Sequence, residues 1–305
     1  MCFLCLFVAK AIVPTTDKLD PDKIRSNLRT KRVGRKILVY KSTSSTNDIA
    51  AEYAKNGKND GLVVFAEEQT VGRGRAGAKW HSGHGDSILC SIVLTDSKCN
   101  PELLSLACAV ATAEAIGKPG NTQARIKWPN DIILNGKKVA GILLESYPRH
   151  APGDDVIPAK PVLSRLVPSS VEGVEGAGIH ADCRTYIIGI GINCHQKKDS
   201  FPFELQSTAT SMDIESQTIC DRISLAKRLL TSADHWLDVA EKNSEEIVDR
   251  WRRLSVQLGH RITLSYSGKE FTGNCIGIDP EKGLTLQLDT GGVRMFNAAH
   301  TTIAK

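Results

Sequence analysis

No apolar run reaches the roughly 18 residues that a membrane-spanning helix needs. The net charge is only +5 over 305 residues. Such a mild excess accommodates an anionic small ligand or an acidic protein partner and does not call for nucleic acid. There are nine cysteines but one close pair, Cys2 and Cys5, without the second pair that would complete a zinc site. Cys90, Cys108 and Cys194 lie in apolar runs and read as small buried hydrophobes of a reducing compartment, hence a cytoplasmic protein. The apolar start, residues 1–13, lacks the charged onset and small-residue cleavage site of a secretory signal, so no leader is expected. Internal repeats are absent. What remains is ordinary for a globular chain: 41% hydrophobic and 24% charged residues, enough for one large domain or two modest ones.

The most distinctive stretch is 61–80, GLVVFAEEQTVGRGRAGAKW. Residues 62–66 form a short unbroken apolar run, a strand buried on both faces. It empties into Gly72-Arg73-Gly74-Arg75-Ala76-Gly77. Glycines at this spacing permit backbone angles closed to other residues, and successive N–H groups there can cradle an anion. Two arginines add fork-shaped donors for phosphate or carboxylate. The same composition also fits a surface loop with solvated arginines. The segment matches GxGxxG as text but leads into no amphipathic helix, and a P-loop ending is missing, so neither familiar nucleotide fingerprint applies.

Other segments follow in order. A short helix is expected at 19–28, and the basic stretch 23–41 reads as a solvated face. Strands are expected at 37–40, 62–66, 87–94, 126–128, 132–134, 138–145 and 186–192. Ser45, Thr46 and Asn47 precede a helix at 48–55, where Thr46 or Asn47 can cap it or hold a polar ligand at its positive end. Asn100 caps and Pro101 opens a core helix over 103–116. Lys127 stands in an apolar run before Trp128-Pro129-Asn130-Asp131, either as an edge-strand lysine facing out or as a charge aimed at an anionic ligand. Asn135-Gly136 signals a type I′ hairpin. The span 147–184 is rich in Pro, Gly, Ser and Val and reads as an insertion. Gly189 and Gly191 alternate on one strand face, marking close approach, and Asn193 ends that strand. Amphipathic helices at 221–242 and 245–257 precede short strands at the spacing of a small β-barrel.

The ordered set Gly72-Arg73-Gly74-Arg75-Ala76-Gly77 with Trp80, then Lys127-Trp128-Pro129-Asn130-Asp131, then Gly189-Ile190-Gly191-Ile192-Asn193, resembles the biotin protein ligases. Ser45-Thr46-Asn47 and Gly141-Ile142-Leu143-Leu144-Glu145 support it. The match runs from about residue 37 to 213, and the C-terminal β module is similar to the family's SH3-like domain. The resemblance implies an α+β fold: a mixed sheet with packed helices, followed by an SH3-like barrel. Its implied divisions are an N-terminal extension (1–36), a catalytic domain (37–257, with the insertion) and the barrel (258–305). The implied reaction is ATP-dependent formation of biotinyl-5′-AMP with Mg²⁺, then transfer to one lysine of a biotin carboxyl carrier protein. Lys127, Arg73 and Arg75 would be catalytic, with Lys127 bridging the biotin carboxylate and the α-phosphate. Ser45, Thr46, Asn47, Gln69, Arg73, Gly74, Arg75 and Lys127 would bind biotin. Gly72, Gly77, Trp80, Asn130 and Asn193 would line the adenylate site, although Trp80 could equally be core. No protein metal ligand is assigned. Two departures stand out, Ala78 where members often carry Arg or Asn, and the insertion. The DNA-binding domain of bifunctional members is not seen, so neither DNA binding nor autorepression is expected; no membrane partner is expected, and a homodimer is left open. A lipoate or octanoate ligase of the same fold, and a biotin-binding sensor without catalysis, are the alternatives.

Overall fold

The computed structural model describes residues 17–117, 123–147, 184–216 and 218–303. The apolar start, with its Cys2 and Cys5, and all but the end residues of the insertion lie outside them. The chain runs α1 (Pro21–Arg25), β1 (Ile37–Tyr40), α2 (Thr46–Ala54), β2 (Val63–Ala66), β3 (Ser87–Ser97), α3 (Pro101–Ile116), β4 (Arg125–Lys127), β5 (Asp131–Leu134), β6 (Lys137–Tyr147) and β7 (Arg184–Asn193). Then come α4 (Met212–Ser216), α5 (Arg222–Lys242) and α6 (Ser244–Leu254). Strands β1 to β7 form one sheet in the order β1-β2-β3-β7-β6-β5-β4. Only β1 and β2 pair in parallel; every other pair is antiparallel. The sheet is therefore mixed, as expected.

Strand alternation sorts the core onto two faces. Val63 and Phe65 of β2 join the larger cluster under α3, α5 and α6, whereas Leu62 and Val64 pack with Ala50 of α2. Helix α3 is buried nearly all round, which explains an apolar sequence with no polar stripe. Asn100 caps it through the Leu103 N–H and Pro101 takes the first position. Helix α2 is capped by Ser45, not by Thr46 or Asn47. Ser45 alone holds extended angles there, and the side chains of the other two are spent elsewhere. Asn135 and Gly136, at φ 46° and 79°, make the expected hairpin turn.

Residues 17–36 belong to this body: Leu19, Ile24 and Val33 are buried in the main cluster. They are held by a buried ionic network in which Arg222 pairs with Glu67 at 2.7 Å and with Asp17 at 2.8 Å. His195 bridges Asp17 and Asp213. These groups border a cleft on that side of the molecule, but they satisfy one another.

Strands β8 (Arg261–Tyr266), β9 (Lys269–Asp279), β10 (Gly283–Leu288), β11 (Val293–Phe296) and β12 (Thr301–Ile303) form a separate antiparallel sheet ordered β11-β10-β9-β8-β12. Gln257, in the segment leading into this sheet, is tied back to the large body. It accepts from the Trp128 N–H at 2.7 Å and donates back to the Trp128 carbonyl at 3.1 Å. Among the described residues no helix is long and apolar enough to cross a membrane.

Candidate active site

A cavity of about 240 Å³ opens on the α2 face of the large sheet. Its floor is glycine. A Cβ on Gly191 would lie 2.6 Å from the Trp80 ring, and one on Gly141 3.1 Å from it. A Cβ on Gly189 would lie 2.5 Å from Asn47 Oδ1. Gly141 and Gly191 sit opposite each other on β6 and β7. The alternating glycines thus let an indole and an amide descend onto the strands. Trp80 is a wall of the cavity, and its indole N–H has no partner among the described residues.

The N-terminus of α2 supplies the polar end. Gln69 Oε1 accepts from the Thr46 N–H at 2.7 Å and from its hydroxyl at 2.9 Å. Asn47 donates to Glu145 at 2.8 Å, and the Ser91 hydroxyl lies 2.5 Å from Asn47 Oδ1 and 2.7 Å from Thr46 Oγ1. These groups sit at a helix end that favours acceptors and negative charge.

The Gly-rich loop closes the other side. It opens no long helix; it folds back on itself, with the Gly74 N–H on the Ala78 carbonyl and the Trp80 N–H on the Gly72 carbonyl. Ala76 at φ 51° and Gly77 at φ 79° make the left-handed corner. Arg73 is bidentate on Asp48, at 2.7 and 3.1 Å, and reaches Glu145 at 3.4 Å. Arg75 reaches Asn130 Oδ1 at 3.4 Å and donates to the Ala298 carbonyl of the C-terminal sheet. Burial works against its charge there, only partly offset by the charges of Glu102 and Asp131.

Two lysines line the cavity, Lys79 after the Gly-rich loop and Lys138 of β6. Lys127 lies on β4, the edge strand, exposed and outside the cavity lining. The register Lys127–Asp131–Gly141–Gly191 nevertheless puts it on the sheet face opposite to that of Ile126, the one that carries the cavity. Lys138 sits where the β5–β6 register slips, and a bulge re-aims a side chain. Segment 208–210 pins its backbone on both sides. Its ammonium lies 2.6 Å from Asp131 and 5.8 Å from the centroid of the Trp80 ring.

Of the residues singled out from sequence, Ser45, Thr46, Asn47, Gln69, Arg73, Gly74, Arg75, Trp80 and Asn130 converge on the cavity. Gly72, Gly77, Lys127 and Asn193 do not line it. Gly72 packs against the Trp80 backbone. Asn193 is buried and donates to the Thr210 carbonyl at 2.9 Å, a structural tie. Sequence reasoning missed Lys138, Asp131, Ser91 and the role of Glu145. The available signal was the Lys137-Lys138 pair after the turn, since alternation admits only one of two adjacent lysines to a face.

A cationic amine between a glycine floor, a neutral polar pocket and an arginine-bearing loop is suited to a carboxylic acid meeting a phosphate. The model of the biotin/lipoate A/B protein ligase family matches residues 39–157. The bifunctional ligase/repressor BirA of Bacillus spizizenii is 32% identical over 291 residues, covering 94% of this chain and 80% of that protein. The biotin–[acetyl-CoA-carboxylase] ligase of Mycobacterium tuberculosis is 27% identical, covering 90% and 93%. Biotin protein ligase from Aquifex aeolicus, solved with biotin and ATP, shares the fold at a TM-score of 0.68 and 23% identity, over 89% of this chain and 99% of that one. The chain belongs to the biotin/lipoate protein ligase family.

Proposed function

We propose that this protein is a biotin protein ligase: it activates biotin with ATP and transfers the acyl group to a lysine of a biotin carboxyl carrier protein. The observation that carries the reading is Lys138, a cation set between the head-group pocket and the Gly-rich loop. In the first step a biotin carboxylate oxygen attacks the α-phosphorus of ATP and pyrophosphate leaves. The reacting groups are anions that repel one another, so fixed positive charge lowers the barrier. Lys138 supplies such charge by exchanging Asp131 for the carboxylate and phosphate oxygens, and Lys127, on the same sheet face, keeps the bridging role that the sequence suggested. Thr46, Asn47 and Gln69 supply donors and acceptors for the ureido ring. Trp80 offers a flat face and a free N–H to the adenylate. Arg73 and Arg75 bring the loop over the intermediate and exclude water, which would otherwise hydrolyse the mixed anhydride. In the second step the carrier lysine amine attacks the acyl carbon and AMP leaves.

Asp131 is the only carboxylate lining the cavity, and no group of three potential metal ligands exists among the described residues. Mg²⁺ therefore fits as part of the incoming nucleotide, where it offsets phosphate charge. We assign residues 37–257 to catalysis and 258–305 to the SH3-like module, and place the enzyme in the cytoplasm. Pyrophosphate release measured with biotin, and with lipoate in its place, tests the reading. Release with biotin alone is expected; equal or greater release with lipoate would contradict it.

A further inference from the structure

The buried carboxylate of Glu145 is not used by the reaction just described, yet it touches both halves of the site. It is 1% exposed, near the end of β6. One oxygen accepts from Asn47 Nδ2 at 2.8 Å; the other accepts from Arg73 Nη2 at 3.4 Å. An ionised carboxylate only accepts, so it dictates which end of the Asn47 amide faces it. Ser91 holds the opposite end through Oδ1. A flipped amide would set oxygen against oxygen, so the orientation of Asn47 is locked, and the absent side chain of Gly189 makes room for it. Arg73, in turn, is held more closely by Asp48 than by Glu145, and its Nε has no partner among the described residues. The Arg73–Glu145 contact is slack at 3.4 Å, as is the donation of the Tyr147 hydroxyl, also at 3.4 Å, to the oxygen that Asn47 holds.

We propose that Glu145 is a positioning residue that couples occupation of the head-group pocket to closure of the Gly-rich loop, and so makes closure selective for an acid carrying a cyclic urea. The inference rests on the biotin reading above. A urea ring competes for the Asn47 amide and loosens its grip on Glu145. The carboxylate is then free to tighten on Arg73 and draw the loop inward. A dithiolane acid such as lipoate has no hydrogen-bonding ring and leaves Asn47 on Glu145, so the loop gains nothing.

The test uses the full chain and trypsin, which cuts after Arg73, Arg75 and Lys79, with biotin or lipoic acid titrated in. In the parent, biotin should slow cleavage at the loop about fivefold or more and lipoic acid less than about twofold, since protection tracks the open population. Glu145→Gln is nearly isosteric and uncharged. It should raise the KM for biotin and the biotin needed for half-protection about tenfold, with kcat at saturating biotin and the KM for ATP within about threefold of the parent. A merely structural role would instead lower the yield of folded protein and leave the biotin KM of the folded fraction unchanged. Asn47→Ala gives an independent arm should Glu145→Gln not fold. Asn47 bonds to no residue of the loop among the described residues, yet at biotin concentrations that saturate the variant by calorimetry the loop should stay cleavable. Parent-like protection and biotin KM in Glu145→Gln, or full protection in Asn47→Ala, would overturn the coupling. Failure of the parent itself to release pyrophosphate with biotin would overturn the functional reading instead.

Discussion

Replacing Lys138 by Met separates a catalytic lysine from a structural one. In the free protein Lys138 pairs with Asp131 at 2.6 Å, but its side chain is 37% exposed. Partly solvated pairs of this kind contribute well under about 1 kcal/mol. The contact with Trp80 at 5.8 Å adds about 0.5 kcal/mol. Methionine keeps most of the side-chain volume, so the melting temperature should move little. The catalytic effect is of another size. Removing one preorganised donor from the oxygens where charge gathers costs about 3–4 kcal/mol, or about 10²–10³ in rate. Biotin- and ATP-dependent pyrophosphate release, followed as single-turnover formation of biotinyl-AMP, should therefore fall by that factor. Lys127→Met, made in parallel, removes the exposed lysine at the edge of the same sheet face and should also slow adenylate formation with little change in melting temperature. The reasoning is refuted if Lys138→Met forms the adenylate at the parent rate.

Three further outcomes are expected. His195 is raised from 6.5 to about 9, chiefly by its hydrogen bond to Asp17 and also by Asp213, with burial opposing. A folded value above the unfolded one means that its stabilisation is complete below pH 6.5 and is lost as pH climbs through about 9. Melting temperatures between pH 6.5 and 9 should decline in the parent, and His195→Gln should flatten that slope. Gly191→Ala places a Cβ 2.6 Å from the Trp80 ring; overpacking of this kind costs about 1–3 kcal/mol, visible as a weaker KM for ATP in a chain that still folds. Arg75→Gly frees the loop from both Asn130 and Ala298, so biotinyl-AMP should dissociate faster and added albumin should acquire biotin; labelling no higher than the parent's would leave Arg75 without a gating role.

Much of this was legible beforehand for definite reasons. The apolar runs of β2, β3 and β7 are short and rich in β-branched residues, as buried strands are, and Asn100-Pro101 fixes the start of α3. Gly189 and Gly191 announced a close approach, and Trp80 and Asn47 are what approach. Lys127 was legible as far as its side of the pleat: Ile126 faces the core and Lys127, next to it, takes the face that carries the cavity, exposed on the edge strand. Lys138 was hidden because its direction depends on a bulge between β5 and β6 and on segment 208–210, some 70 residues away. Glu145 was quoted as part of a motif, but its partners Asn47 and Arg73 are distant in sequence. Pairings of that kind follow from the fold and not from local pattern.

On the proposed function, the chain moves biotin onto a carrier lysine at the expense of ATP. Incubating the enzyme with labelled biotin, ATP, Mg²⁺ and an isolated biotin carboxyl carrier domain tests it most directly. Label should enter the carrier at a single lysine, only when ATP is present, and an excess of lipoate should not compete. A carrier that stays unlabelled, or one that takes lipoate in preference to biotin, would contradict the account.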